Sequence, residues 1–361
     1  MYSAVKMVFN VGKVTLLMLF FIPVSLYYGF FTGDKLLASV TAILAIMPLA
    51  RIIGYATKEI VLQTNPVFGG FLNATFGNAV ELITAVFALK AGLLQVVQAS
   101  LIGSVLNNIL LLMGLSIFLG GQKFKRQTFN KEAVGVSSTM LIIAIVGLAI
   151  PTIYALTVKA DPGGSSVISN AVAVVLAIIY LAGVLFAFVT HRHIFDSSDE
   201  VKEAEKERPQ ISVKTAVALL LLTTLAVVFE SELMVDGFKY MISDYGLSQA
   251  FLGVVVIATL SNIAENINAV HFARENKLDV SLEIGLNSAV QIALFVVPIL
   301  VFVSHIFNYC FSLVFSPFEV VSLFLAVMIV NYLSSDGKCN WLEGMQLVSV
   351  YLIIAIAFYF I

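Results

Sequence analysis

Apolar residues run along this chain in blocks separated by short charged clusters. Each block is about 20 residues long, the length an α-helix needs to cross a hydrocarbon layer roughly 30 Å thick at 1.5 Å per residue. Eleven blocks stand out, over 12–31, 36–57, 66–90, 93–120, 133–156, 166–190, 212–235, 247–273, 281–306, 312–333 and 341–361. Stretches such as Thr139 to Leu148 show no alternation of apolar and polar side chains, so they predict helices and exclude the strands of a β-barrel. The first block follows Lys6 and Lys13 as a signal peptide would, but no small-residue cleavage site accompanies it, and it reads as a span.

The only long hydrophilic stretch, His191 to Lys214, divides the blocks. The expected fold is an all-α integral membrane protein of 11 transmembrane helices, one lead helix plus two inverted five-helix repeats. Its expected parts are a lead helix in 1–35, a first repeat in 36–190, an acidic cytoplasmic linker in 191–211 and a second, inverted repeat in 212–361. Two pairs of local matches support the duplication. Gly77-Asn78-Ala-Val-Glu81 in the third block resembles Ser261-Asn262-Ile-Ala-Glu265 in the eighth. One block later in each half, Gly103-Ser104 with Asn107-Asn108 parallels Asn287-Ser288 with Gln291. The linker, with Asp196, Asp199, Glu200, Glu203, Glu205 and Glu207, reads as a solvated connection rather than an ion sensor.

Composition agrees with the block pattern. Hydrophobic residues make up 60% of the chain and charged residues 12%, against about a quarter charged in soluble proteins, so a water-soluble fold is excluded. With the N-terminus on the cytoplasmic side, every Lys and Arg except Lys35, Lys90, Lys159 and Lys239 falls on an inside segment. The chain therefore reads as a multi-pass protein of the cell membrane, N-terminus cytoplasmic and C-terminus outside. Its partner is the lipid bilayer, nothing points to nucleic acid, and a homo-oligomer is left open. Cys310 and Cys339 fall on opposite faces, which argues against a disulfide between them.

A carboxylate at the middle of a membrane helix costs about 2.5–3.5 kcal/mol on insertion scales. Glu81 lies nine residues before Lys90 and Glu265 nine before Arg274, so each sits roughly 13 Å from the C-terminal end of its span. Because the two spans run in opposite directions, both carboxylates approach the midplane. Asn78 precedes Glu81 by three residues and Asn262 precedes Glu265 by three, which sets an amide and a carboxylate on one helical face. Ser104 with Asn108, and Ser288 with Gln291, likewise share faces. Hard cations take six to eight oxygen ligands of these kinds. No His or Cys accompanies the carboxylates at that depth, which argues against zinc or copper. A lone Asn or Ser in a membrane helix is most often interhelical glue; a duplicated pair of glutamates is not explained that way. Glu59 and Glu232, near-symmetric in the two halves, read either as vestibule charges or as interfacial solvation.

At these motifs the sequence resembles the calcium/cation antiporter superfamily, in particular its Ca²⁺/H⁺ exchanger branch. The resemblance runs over the whole chain and is most specific at Phe71 to Ile83, at Gly103-Ser-Val and at Ser288 to Pro298. It implies an antiporter that exports Ca²⁺ from the cytoplasm in exchange for H⁺ by alternating access, with no enzymatic activity and no cofactor, Ca²⁺ being the transported substrate. It also implies Glu81 and Glu265 as central carboxylates, with Asn78, Asn262, Ser104, Asn108, Ser288 and Gln291 lining the site. Gln291 stands where Na⁺-coupled relatives carry an acid, which favours protons as the counter-ion. The chain departs from the branch's pattern at Ser261 and Asn266, where Gly and His are usual, and at Asn107 and Asn287, where Gly is common. The rival readings are an exchanger of another cation, Mn²⁺ or Na⁺-coupled, and a membrane-embedded hydrolase, for which no nucleophile or water-activating cluster is found at depth.

Overall fold

The apolar blocks become helices, and the computed structural model describes residues 13–158, 162–195, 208–307, 309 and 311–361. The chain runs α1 (Val14–Thr32), α2 (Lys35–Val61), α3 (Pro66–Gly77), α4 (Ala79–Lys90), α5 (Leu94–Lys123), α6 (Lys131–Thr157) and α7 (Gly163–Thr190). It continues through α8 (Val213–Tyr245), α9 (Gln249–Ser261), α10 (Ile263–Arg274), α11 (Leu278–Ile306), α12 (Pro317–Leu333) and α13 (Trp341–Phe360). Among the described residues nine helices are long and apolar enough to cross a membrane, and the bent pairs α3–α4 and α9–α10 raise the number to as many as 11 if each is one span. Most of the acidic linker, 196–207, and Cys310 lie outside the described residues.

Packing divides the chain into two units, each drawn from both sequence halves. One comprises the described parts of Met1–Leu93 and Val184–Leu247, the other Leu94–Gly183 and Ser248–Ile361. In the first, α8 packs along α2 and against α4, and α1 lies on α2. Polar side chains tie the helices where apolar packing alone discriminates weakly in lipid: Ser39 Oγ donates to the Met234 carbonyl at 3.0 Å, and the Thr84 and Ser231 hydroxyls meet at 3.3 Å. Asp34 caps α2 through the Leu37 N–H, and Ser212 caps α8 through the Thr215 N–H. The seventh block predicted a helix ending at 235, but α8 continues to Tyr245 and closes on Gly246 at φ 62°. The block ends where Asp236 and Lys239 begin; these two form an exposed 3.4 Å ion pair on a helix that simply runs on.

In the second unit α5 is central and largely buried, and it packs against α9, α10, α11 and α13. The short strands β1 (Gln127–Thr128) and β2 (Lys338–Cys339) pair antiparallel, Gln127 opposite Cys339. Gln127 Nε2 also donates to the Ala273 carbonyl at 2.8 Å, and Lys123 Nζ to the Arg274 carbonyl at 3.0 Å. Three loops therefore meet at one end of this unit. At the far end of α6, Thr152 Oγ1 accepts the Phe315 N–H, Ser169 Oγ accepts the Leu313 N–H, and Gln98 Nε2 donates to the Val314 carbonyl. These are the loops that the charge pattern groups on one face and on the other.

Candidate cation site

Both bent pairs break at the motif asparagine. Asn78 leaves helical geometry at φ −109° and ψ 25°, and the axis turns 48° between α3 and α4. Asn262 does the same at φ −92° and ψ 6°, with a 55° turn between α9 and α10. The chain is stitched across each break in the same way: the Asn78 carbonyl accepts the Leu82 N–H at 3.0 Å, and the Asn262 carbonyl accepts the Asn266 N–H at 2.9 Å. Glu81 and Glu265 consequently lie in the first turn of the second helix of each pair. A helix start carries partial positive charge from its unpaired N–H groups, which favours a carboxylate there and offsets part of its cost in the membrane. The sequence shows the paired glutamates; their position at helix starts comes from the break.

Of the residues singled out in the sequence, Asn78 and Glu81 belong to the first unit, Asn78 buried and Glu81 half-buried. One turn beyond Glu81, Thr84 meets Ser231 of α8. The other six lie in the second unit, where four form two bonded pairs. Asn262 Nδ2 donates to Ser104 Oγ at 3.3 Å, linking α9–α10 to α5, and Asn108 Nδ2 donates to Ser288 Oγ at 2.9 Å, linking α5 to α11. Ser104, Asn108, Asn262 and Ser288 are all buried, while Glu265 and Gln291 are half-buried. Asn262 Nδ2 reaches the Ala258 carbonyl as well, at 2.8 Å, yet its Oδ1 is buried with no hydrogen-bond donor. An amide oxygen left so costs about 1–3 kcal/mol, and such an oxygen is what a hard cation takes as ligand.

Two features of this region were not read from the sequence. The helices α5 and α11 each contain a π-helical turn, Asn107–Leu112 and Ile292–Val296, the first beginning at Asn107 and the second one residue after Gln291. Such wide turns are frequent at functional sites, but α1, α7 and α9 carry them too, over Tyr28–Thr32, Phe186–Thr190 and Leu252–Ile257, and composition does not mark them. In the first unit, Glu230 of α8 is buried and accepts a 2.9 Å bond from Ser25 Oγ of α1, while Glu232, the residue noted in the sequence, is exposed. Glu59 is buried and its Oε2 accepts the Gln210 and Ile211 N–H groups at 2.7 and 3.1 Å, which ties the end of α2 to the segment entering α8. Its geometry is that of a structural tie.

Comparison with known proteins places the chain in a family. The family model described as sodium/calcium exchanger protein matches residues 34–189 and 215–360. A Ca²⁺/H⁺ antiporter of Aphanothece halophytica is 39% identical over 95% of both chains. One of Synechocystis sp. is 40% identical over 97% of this chain and 98% of its own. Among solved structures, native YfkE superposes with a TM-score of 0.83 at 34% identity, over 96% of this chain and all of that one.

Proposed function

This chain belongs to the sodium/calcium exchanger protein family, and from that premise we propose that it exports Ca²⁺ from the cytoplasm in exchange for H⁺. The reading extends to this chain what its relatives are named for. The single observation that carries its chemistry is the matched setting of Glu81 and Glu265, each in the first turn after a helix break made by the motif asparagine. Two carboxylates neutralise the double charge of one Ca²⁺, and two protons do the same in its place. An unoccupied site with both groups ionised is costly to carry across a low-dielectric layer, so cation or protons must accompany each reorientation.

In this reading Glu81 and Glu265 are the central ligands. Asn78 and Asn262 add amide oxygens from the two breaks. Ser104, Asn108, Ser288 and Gln291 line the path from α5 and α11, and Gln291, being neutral, leaves no carboxylate at its position for Na⁺. The orientation with the N-terminus cytoplasmic and the C-terminus outside puts the β1–β2 end of the second unit, with Lys123, Lys125, Arg126 and Lys338, on the cytoplasmic face.

Purified protein in liposomes, loaded with ⁴⁵Ca²⁺ and given a pH gradient or a Na⁺ gradient in separate arms, tests the proposal. Flux is expected with the pH gradient and at background level with Na⁺ alone. Flux driven by Na⁺ alone would assign Na⁺-coupled exchange instead, and no flux in either arm would remove antiport altogether.

A further inference from the structure

The duplicated second motif has a register that the polar pairs alone conceal. Setting Gly103-Ser104-Val-Leu-Asn107-Asn108 against Asn287-Ser288-Ala-Val-Gln291-Ile292 brings Asn107, not Asn108, opposite Gln291. Asn107 is also the first residue of the π-helical turn in α5 and is completely buried. Its amide nitrogen is fully used: Nδ2 donates to Asn266 Oδ1 at 3.3 Å and toward Asn108 Oδ1 at 3.5 Å. Its amide oxygen is not used, since Oδ1 is buried with no hydrogen-bond donor.

We infer that Asn107 is a further ligand of the transported cation, its Oδ1 held in place by the Asn107–Asn266 amide bridge. This rests on the exchange reading given above, which supplies the cation. The bridge joins α5 to α10 one residue beyond Glu265, and the donation toward Asn108 continues to Ser288, so the Asn107 amide is fixed by neighbours of the residues already assigned to the site. An amide whose two hydrogens are both donated has a more negative oxygen, because chains of hydrogen bonds polarise one another. A neutral carbonyl of that kind suits Ca²⁺, which completes its shell with amide oxygens and water after the carboxylates. Other buried side-chain atoms of the described residues also have no partner, Thr57 Oγ1 and Ser281 Oγ among them. Asn107 differs in lying opposite Gln291 in the duplicated motif and in being bonded to the neighbours of Glu265 and Ser288.

Equilibrium ⁴⁵Ca²⁺ binding to the purified protein separates a ligand from a structural donor. Asn107→Ala removes the oxygen and should weaken binding about 10-fold, the scale of losing one element of a metal site. Asn107→Asp keeps an oxygen ligand and adds a negative charge while losing both donors; it should bind within about threefold of the wild type or more tightly, a difference below roughly 0.7 kcal/mol. Asn266→Ala leaves the Asn107 oxygen present and should cost less than Asn107→Ala. Unchanged affinity in Asn107→Ala, or equal losses in Asn107→Asp and Asn107→Ala, would overturn the assignment. The same holds if Asn266→Ala matches Asn107→Ala, because the pair would then act only through its bridge. A wild type that binds no Ca²⁺ overturns the exchange reading and this inference together. A wild type that binds, with Glu265→Gln inactive and Asn107→Ala unshifted, overturns the Asn107 assignment alone.

Discussion

An asparagine in the membrane interior can break a helix, donate between helices or offer an oxygen to a cation, and Asn262 does the first two while leaving the third open. Its backbone makes the bend, its nitrogen binds Ser104 and Ala258, and its oxygen has no donor. Other polar residues in the same chain are fully committed to structure, as Glu59 is to two backbone N–H groups. Cys339 is a residue of that structural kind. Burial, then the Glu343 and Asp336 carboxylates, pushes its thiol up to about 12, whereas a thiol in an unfolded chain ionises near 8.5. Between those values the folded protein keeps a proton that the unfolded chain has lost, so this group contributes stability below about pH 8.5 that declines as pH rises. A Cys310→Ser variant should therefore take up maleimide at Cys339 slowly at pH 8 and at least about tenfold faster after unfolding in detergent. Equal rates in the two states would contradict the buried, neutral thiol.

Helix contacts in the second unit depend on small residues. A side chain at Gly103 would place its Cβ 2.6 Å from the Val254 carbonyl oxygen, and one at Gly253 would come 2.7 Å from the Ser100 nitrogen. Because backbone lies on the other side in both cases, neither can yield. Gly103→Val should separate α5 from α9 and cost about 1–3 kcal/mol or more, read as a lowered unfolding midpoint of the purified protein; an unchanged midpoint would show that this crossing is not tight. Hydropathy located the described helices of membrane-spanning length but not all of their ends or internal turns. The breaks at Asn78 and Asn262 were foreshadowed by polar residues inside apolar blocks. The extension of α8 to Tyr245 was not, since backbone hydrogen bonding continues past the point where side chains stop being apolar. The π-helical turns were equally hidden, because an extra residue in one turn leaves composition unchanged.

Across the chain, the sequence carried the helical class and the grouping of loops by charge. Loops grouped in that way do meet, as β1 with β2 and as Thr152 and Ser169 with the 311–316 segment. What the sequence did not carry is the partition into two units that each draw on both halves, because which helix packs on which depends on fine complementarity such as that at Gly103 and Gly253. Nor did it show that Glu230 rather than Glu232 is the buried carboxyl of α8, since both lie in one turn of an apolar block. The proposed sharing of one Ca²⁺ by Glu81 and Glu265 is tested most directly by the stoichiometry of ⁴⁵Ca²⁺ bound to purified wild-type, Glu81→Gln and Glu265→Gln protein. A shared site predicts that either substitution abolishes all of the wild type's specific binding. Retention of half the bound Ca²⁺ in each variant, or of wild-type affinity in either, would mean that the two carboxylates do not hold the same ion.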